Sequence, residues 1–194
     1  MHRKKARPSV LILMSDTGGG HRASAEALRA GFQQLFGDKY KVDIIDLWTD
    51  HTPWPVNQMP KSYSFMVKYP FIWRFNFMAT QPRFVHIPIA TASTAIVASS
   101  IAAAFDAYDP DLVVSVHPLM QHIPVRVLGQ YNSSRQSKPP ASFATVVTDL
   151  TTCHNTWFCP AVDRCYVATE ETRQQALKLG LSVSFICELL SLIE

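Results

Sequence analysis

A five-residue apolar run, Val10-Leu11-Ile12-Leu13-Met14, opens directly into Ser15-Asp16-Thr17-Gly18-Gly19-Gly20-His21. No other feature of the chain narrows its fold as much. An apolar run without polar alternation reads as a strand buried on both faces, and such strands belong to parallel sheets covered by helices. From His21 to Phe36 the period becomes helical, with Ala25, Leu28, Phe32 and Leu35 on one stripe. Gly37 closes that helix, and residues 42–48 form a second apolar strand. Strand, helix and strand in this order make a βαβ unit.

The remaining chain repeats the alternation after one interruption. Residues 49–88 hold Pro53, Pro55, Pro60, Pro70, Pro82 and Pro88 among eight aromatic residues running from Trp54 to Phe77. So many prolines exclude one continuous helix, and short helices are expected at 61–67 and 71–78. Then come a helix at 91–108, a strand at 111–116, a helix at 122–130 and a polar turn at 132–140. A strand at 143–147, a loop at 149–155, a strand at 164–168 and a helix at 170–179 complete the pattern, with Gly180 as the stop. Residues 181–194 show no continuation of it. The fold class is therefore α/β, a Rossmann-like doubly wound parallel sheet with right-handed crossovers.

Composition excludes several classes. With 47% hydrophobic and 17% charged residues over 194 positions, the chain can build a core and is not disordered. A net charge of +3 is mild, and no nucleic-acid partner is expected. Arg3, Lys4, Lys5 and Arg7 make residues 1–8 a basic tail, either solvated or weakly drawn to an anionic membrane surface. No transmembrane stretch is expected: the best candidate, 87–105, is short of strongly apolar residues and runs into Asp106 and Asp109. Neither a secretory signal nor a plastid transit peptide is visible. Cys153, Cys159, Cys165 and Cys187 are too few for a disulfide framework. Five residues separate Cys153, Cys159 and Cys165 in turn, which is no zinc-ligand spacing even with His154 nearby, so reduced thiols and no metal are expected.

Ligands of parallel sheets sit beyond the carboxyl ends of the strands. Those ends carry Ser15 to His21 here, then Asp46, Asp50 and His51, then Ser115, His117, Gln121 and His122, then Thr148, Asp149 and His154. Loop ends are often polar for no chemical reason, but this density marks a candidate crevice. Gly18, Gly19 and Gly20 allow close backbone approach to a ligand, and a helix N-terminus follows. The positive end of the helix disfavours protonation of His21, which leaves an imidazole able to take a proton from a hydroxyl. His21 as a mere capping or spacer residue is the plainer alternative. Gly18-x-Gly20-x-x-Ala23, with Asp43 or Asp46 further on, also fits a dinucleotide fingerprint, so an NAD(P)-binding domain is a rival reading. The charge of Asp16 and the aromatic insert count against it. Trp54, Trp157 and Phe158 are candidates to present aromatic surface beside the crevice, where amphipathic rings suit a lipid; packing within an irregular subdomain is the alternative.

Four stretches carry a resemblance. Leu11 to Ala25, Asp46 to Pro55, Ser115 to His122 and Thr148 to Phe158 resemble, in order, segments of the plant and algal monogalactosyldiacylglycerol synthases. More distantly, the glycine loop resembles the peptidoglycan N-acetylglucosaminyl transferase. The resemblance covers 9–181 and implies the N-terminal, acceptor-binding half of a two-domain GT-B glycosyltransferase. It implies inverting transfer of galactose from UDP-galactose to diacylglycerol without a metal or other cofactor, the donor being held mainly by the second domain. His21 matches the family's proposed catalytic base. Pro55 and Trp157 fall in motifs on the lipid side, including anionic activator lipids, and His117, Gln121, Asp149 and His154 border the same cleft. Family members act as peripheral proteins of the plastid envelope. Residues 182–194 resemble none of the family's continuation, so a truncated or alternatively spliced end is expected, with little transferase activity from this chain alone. Lipid binding, or pairing with a full-length homologue, is then the non-catalytic alternative.

Overall fold

A computed structural model describes residues 7–17, 19–135 and 138–188. The six residues of β1 (Ser9–Met14) are all buried, as a strand covered on both faces must be. α1 (Gly19–Phe36) returns the chain to β2 (Lys41–Asp46), which pairs parallel to β1 with Met14 opposite Asp46. The chain then crosses to the other side of β1, where β3 (Leu112–Ser115), β4 (Ser142–Val146), β5 (Arg164–Val167) and β6 (Ile186–Glu188) follow in turn. The sheet order is β2-β1-β3-β4-β5-β6, parallel throughout. This is the expected Rossmann-like α/β fold, the architecture of the N-terminal half of a GT-B transferase. Its winding direction reverses between β1 and β3, where a ligand crevice opens in such sheets.

Alternate residues of β1 feed two cores. Val10, Ile12 and Met14 pack with Ala25, Leu28 and Phe32 of α1 on one face. Leu11 and Leu13 join a larger core with Val97, Ile101 and Phe105 of α5 (Arg83–Tyr108) and Val127 and Leu128 of α6 (His122–Ser134). The α1 stripe stops short of its expected length, since Leu35 lies beyond the sheet and is 75% exposed.

Several boundaries shift from the sequence expectation for identifiable reasons. The second strand ends at Asp46 because that carboxylate caps α2 (Leu47–His51), accepting from the Thr49 amide at 3.0 Å. α5 begins at Arg83 rather than 91. Pro88 falls in its second turn, where only the bond to the Phe84 carbonyl is forgone. α6 runs on to Ser134 through the expected polar turn. α7 (Glu170–Lys178) ends as expected at Gly180, which takes a φ of 92°. Residues beyond 181, expected to be featureless, supply a 3-10 turn at Val183–Phe185 and then the sixth strand.

The exclusion of a membrane-length stretch is also revised. α5 has 26 residues and a mean hydropathy of 1.6 in its most apolar window, enough by length and composition to span a membrane, and 22% of that window is buried. Its buried residues, among them Val97, Ile101 and Phe105, face the larger core, and the remainder faces outward with Arg83 and Asp106 as its charged residues near the two ends. The aromatic insert folds as α3 (Met59–Met66) and α4 (Pro70–Thr80), close to the two short helices expected. No residue of α4 is buried. The pair forms a wall over the carboxyl ends of the strands.

Candidate active site

His21 stands in the first turn of α1, at the switch between β1 and β3. Its Nδ1 lies 2.8 Å from the carbonyl of Val116, just beyond β3. A carbonyl can only accept, so Nδ1 carries the proton and Nε2 keeps its lone pair. Burial holds the His21 pKa below the ordinary value, against the Val116 hydrogen bond and the charge of Asp149, which both raise it. The neutral imidazole expected from the helix dipole is thus owed first to burial.

His117 lies beside it, with ring centroids 4.3 Å apart. The amide of Leu119 donates to its Nδ1 at 3.2 Å, which leaves Nε2 as the protonated nitrogen facing Thr17 Oγ1 at 2.9 Å. Burial, and then the neighbouring His21, push its pKa well below the usual histidine range. The two rings therefore hold opposite tautomers. Gln121, fully buried, supports this arrangement from beneath. Its Nε2 donates to Ser115 Oγ at 2.9 Å and to the His117 carbonyl at 3.1 Å, and its Oε1 accepts from Thr145 at 2.6 Å.

Asp149 completes the polar floor. Its Oδ2 accepts from the Trp157 indole at 2.8 Å. Trp157 is fully buried, with its ring 6.3 Å from that of His21. It is a prop behind Asp149, with no face free for a lipid, and Phe158 is buried too. His154 sits further along, held by Thr156 at Nδ1 and by Thr80 of α4 at Nε2, 2.8 and 3.1 Å away.

These residues floor a cavity of about 380 Å³. Ser15, Thr17, His21, His117, Asp149 and His154 supply its polar side. Met59, Tyr63 and Met66 of α3 and Trp73 and Phe77 of α4 supply the apolar side. Trp73 stacks on Phe77 at 5.1 Å and donates its indole proton to Tyr63 at 3.3 Å. Ser15 Oγ, and the indole nitrogen of Trp48, a further lining residue, are buried without a protein partner. A cavity half apolar and half hydrogen-bonding suits an amphipathic ligand.

Other candidates lie elsewhere. Asp16 is exposed and paired with Arg22 at 3.1 Å. Pro55 is exposed before a 3-10 turn, outside the cavity. Gln121 and Trp157 are buried behind the cavity surface. Gly18 lies outside the described residues, Gly19 begins α1, and a Cβ at Gly20 would meet nothing within 4 Å. The acid that a dinucleotide fingerprint requires is not free. Asp46 accepts from the Asp16 amide and from Thr49, and Asp43 pairs with Lys41 at 2.8 Å. The cysteines are unpaired, and burial pushes the thiols of Cys153 and Cys165 up to about 12. Sequence reasoning missed Trp48, Met59 and Met66 as lining residues, and held Thr17 only within the strand-end motif and Tyr63, Trp73 and Phe77 only among the aromatics of the insert. Thr17 was legible as a hydroxyl in the same strand-end motif as His21; the inward face of the two helices had no signal beyond aromatic content.

Comparison with known proteins places the chain in a family. The chain is 54% identical to the probable chloroplastic monogalactosyldiacylglycerol synthase of Nicotiana tabacum over 172 residues, 89% of this chain and 31% of that protein. It is 54% identical to monogalactosyldiacylglycerol synthase 1 of Arabidopsis thaliana over 177 residues, 91% of this chain and 32% of that protein. The Spinacia oleracea enzyme is 50% identical over 91% of this chain and 33% of its own length. The chain thus spans about a third of these relatives. The family model for monogalactosyldiacylglycerol (MGDG) synthase matches residues 21–188, beyond residue 181 and through β6. Matched over most of its length, with the strand-end histidines inside or beside that match, the chain belongs to the monogalactosyldiacylglycerol synthase family.

Proposed function

We propose that this chain carries the acceptor side of a 1,2-diacylglycerol 3-beta-galactosyltransferase, transferring galactose from UDP-galactose to diacylglycerol with inversion. The observation that carries the reading is His21: its tautomer is fixed by Val116, its Nε2 lone pair is kept, and it lies on the floor of an amphipathic cavity. In this reading the acceptor hydroxyl gives its proton to His21 Nε2 as its oxygen attacks the anomeric carbon. The bond from that carbon to UDP breaks, and UDP leaves with the electron pair. The glycerol end lies on the polar floor, and acyl chain follows Trp73 and Phe77. A second Rossmann-like domain of the family supplies most donor contacts. No catalytic metal is invoked.

Peripheral attachment to a plastid envelope membrane follows from the same reading. Phe71, Phe75 and Met78 repeat at i, i+4 and i+7 on the outer face of α4, at 82%, 68% and 61% exposure, with Arg74 among them. Such an apolar face with a cationic rim suits an interface containing anionic lipid. The relatives named above are chloroplastic by name, which supports the location.

The test is saturable binding of dioctanoylglycerol to the purified chain, with NADPH as control, followed by galactose transfer from labelled UDP-galactose. The expected result is binding of the diacylglycerol and no stabilisation by NADPH. Transfer, where it occurs, is abolished in His21→Ala. Absence of diacylglycerol binding, or transfer that survives His21→Ala, overturns the reading.

A further inference from the structure

The protons around His117 can be assigned one by one. The Leu119 amide donates to Nδ1, so that nitrogen presents a lone pair. A neutral imidazole must then carry its proton on Nε2, and that proton is donated to Thr17 Oγ1. The Thr17 hydroxyl is consequently an acceptor toward His117, and its own proton points elsewhere. Thr17 is half-buried, lines the cavity, and belongs to the same short segment as His21. Beneath His117, Gln121 and Ser115 fix the backbone that holds the ring, so the polarity of the pair is built in.

We propose that Thr17 donates a hydrogen bond to the reacting hydroxyl oxygen of the acceptor, and that neutral His117 is the positioning residue that makes Thr17 a donor. This rests on the acceptor reading above and adds to it a binding residue and a direction. A hydroxyl oxygen has one proton and two lone pairs. Its proton goes to His21 Nε2 and one lone pair takes the Thr17 proton, which leaves the second lone pair for attack on the anomeric carbon. The opposite tautomers of the two histidines are what this geometry needs: one ring accepts from the substrate, and the other donates through Thr17. A charged His117 would also donate to Thr17, but it would lose the Leu119 bond and place a positive charge beside the base.

The test compares dioctanoylglycerol with its 3-deoxy analogue, which has no reacting hydroxyl, against wild type, Thr17→Val and Thr17→Ser. Wild type binds the hydroxyl compound more tightly. Thr17→Val loses about three- to tenfold in affinity for it, the worth of one neutral hydrogen bond, with little change for the deoxy analogue. Thr17→Ser restores the preference. Equal weakening of both ligands by Thr17→Val, or no weakening of either, overturns the proposal. A second measurement needs no ligand: side-chain imidazole nitrogen spectra at neutral pH should show His117 neutral with its proton on Nε2, and His21 with its proton on Nδ1. The opposite tautomer or a charged His117, with diacylglycerol binding intact, overturns this inference alone. Failure of wild type to bind either lipid overturns the acceptor reading and this inference together.

Discussion

The two walls of the cavity are built on different principles. On the sheet side, most polar groups are fixed by hydrogen bonds: Gln121 alone joins Ser115, His117 and Thr145, and Val116 sets the tautomer of His21. On the opposite side, α4 has no buried residue at all. Its end is held by a few bonds: Thr80 pairs with His154, and Gln81 accepts from the Asn155 amide and side chain at 2.9 and 3.0 Å. In the proposed reading this difference matches two tasks: proton-handling atoms need fixed geometry, while a wall for a lipid chain needs only apolar area. A rigid floor is costly to disturb, and the outer wall is not.

The largest expected effect tests that contrast directly. Gln121→Leu leaves the Ser115 hydroxyl, the His117 carbonyl and the Thr145 hydroxyl short of a buried partner, and should cost about 3 kcal/mol in urea unfolding. Phe71→Ser on the outer face should stay within about 0.5 kcal/mol. Similar losses for the two would erase the distinction. Acid comes next. His21, His117, His122 and His154 all have pKa values lowered first by burial, with His122 lowered to about 4, helped by His86, Arg83 and Arg126. The unfolded chain binds their protons first, so this stability is present above pH 6.5 and is lost as pH falls toward the folded values. His122 alone should account for about 2 kcal/mol between pH 6.5 and 5, and His122→Gln should flatten the pH dependence of the unfolding midpoint by that amount.

The same contrast explains what the sequence revealed. The sheet side was legible because its signals are periodic or local: the unbroken run of β1, the glycines before His21, and polar residues at each strand end. Direction was not legible. Trp157 and Gln121 belong to the right motifs, yet the fold turns both behind the cavity surface, where they hold Asp149 and His117. Nor did the sequence separate the two faces of α4. Phe71, Trp73, Phe75 and Phe77 alternate along the chain, but helical winding sends Trp73 and Phe77 inward and the other two outward. Pro88 hid the first turns of α5 because proline is read as a break, although the helix continues through it with the bond to the Phe84 carbonyl forgone.

The outer wall should respond to a membrane and to little else. Phe71→Ser with Phe75→Ser removes two exposed aromatics from α4 and should reduce partition into vesicles containing anionic lipid about tenfold, with an unchanged unfolding midpoint. Unchanged partition would move the membrane contact to another surface, such as the outward face of α5.

The smallest expected effect is the sharpest on the floor itself. Gly20 lies in the first turn of α1, and a Cβ there meets nothing within 4 Å. Among the described residues nothing requires a glycine at that position, and its φ is not in the left-handed region. Gly20→Ala should therefore stabilise the fold by about 0.5–1 kcal/mol, through the unfolded chain's lost freedom and the helix preference of alanine. If the glycine serves close approach of a ligand to the helix N-terminus, the same methyl group weakens diacylglycerol binding or galactose transfer while the protein grows more stable. Opposite signs in the two measurements would place Gly20 on the ligand's path. A stabilised variant with unchanged binding and transfer would remove it from the site and leave the floor to His21, Thr17 and His117.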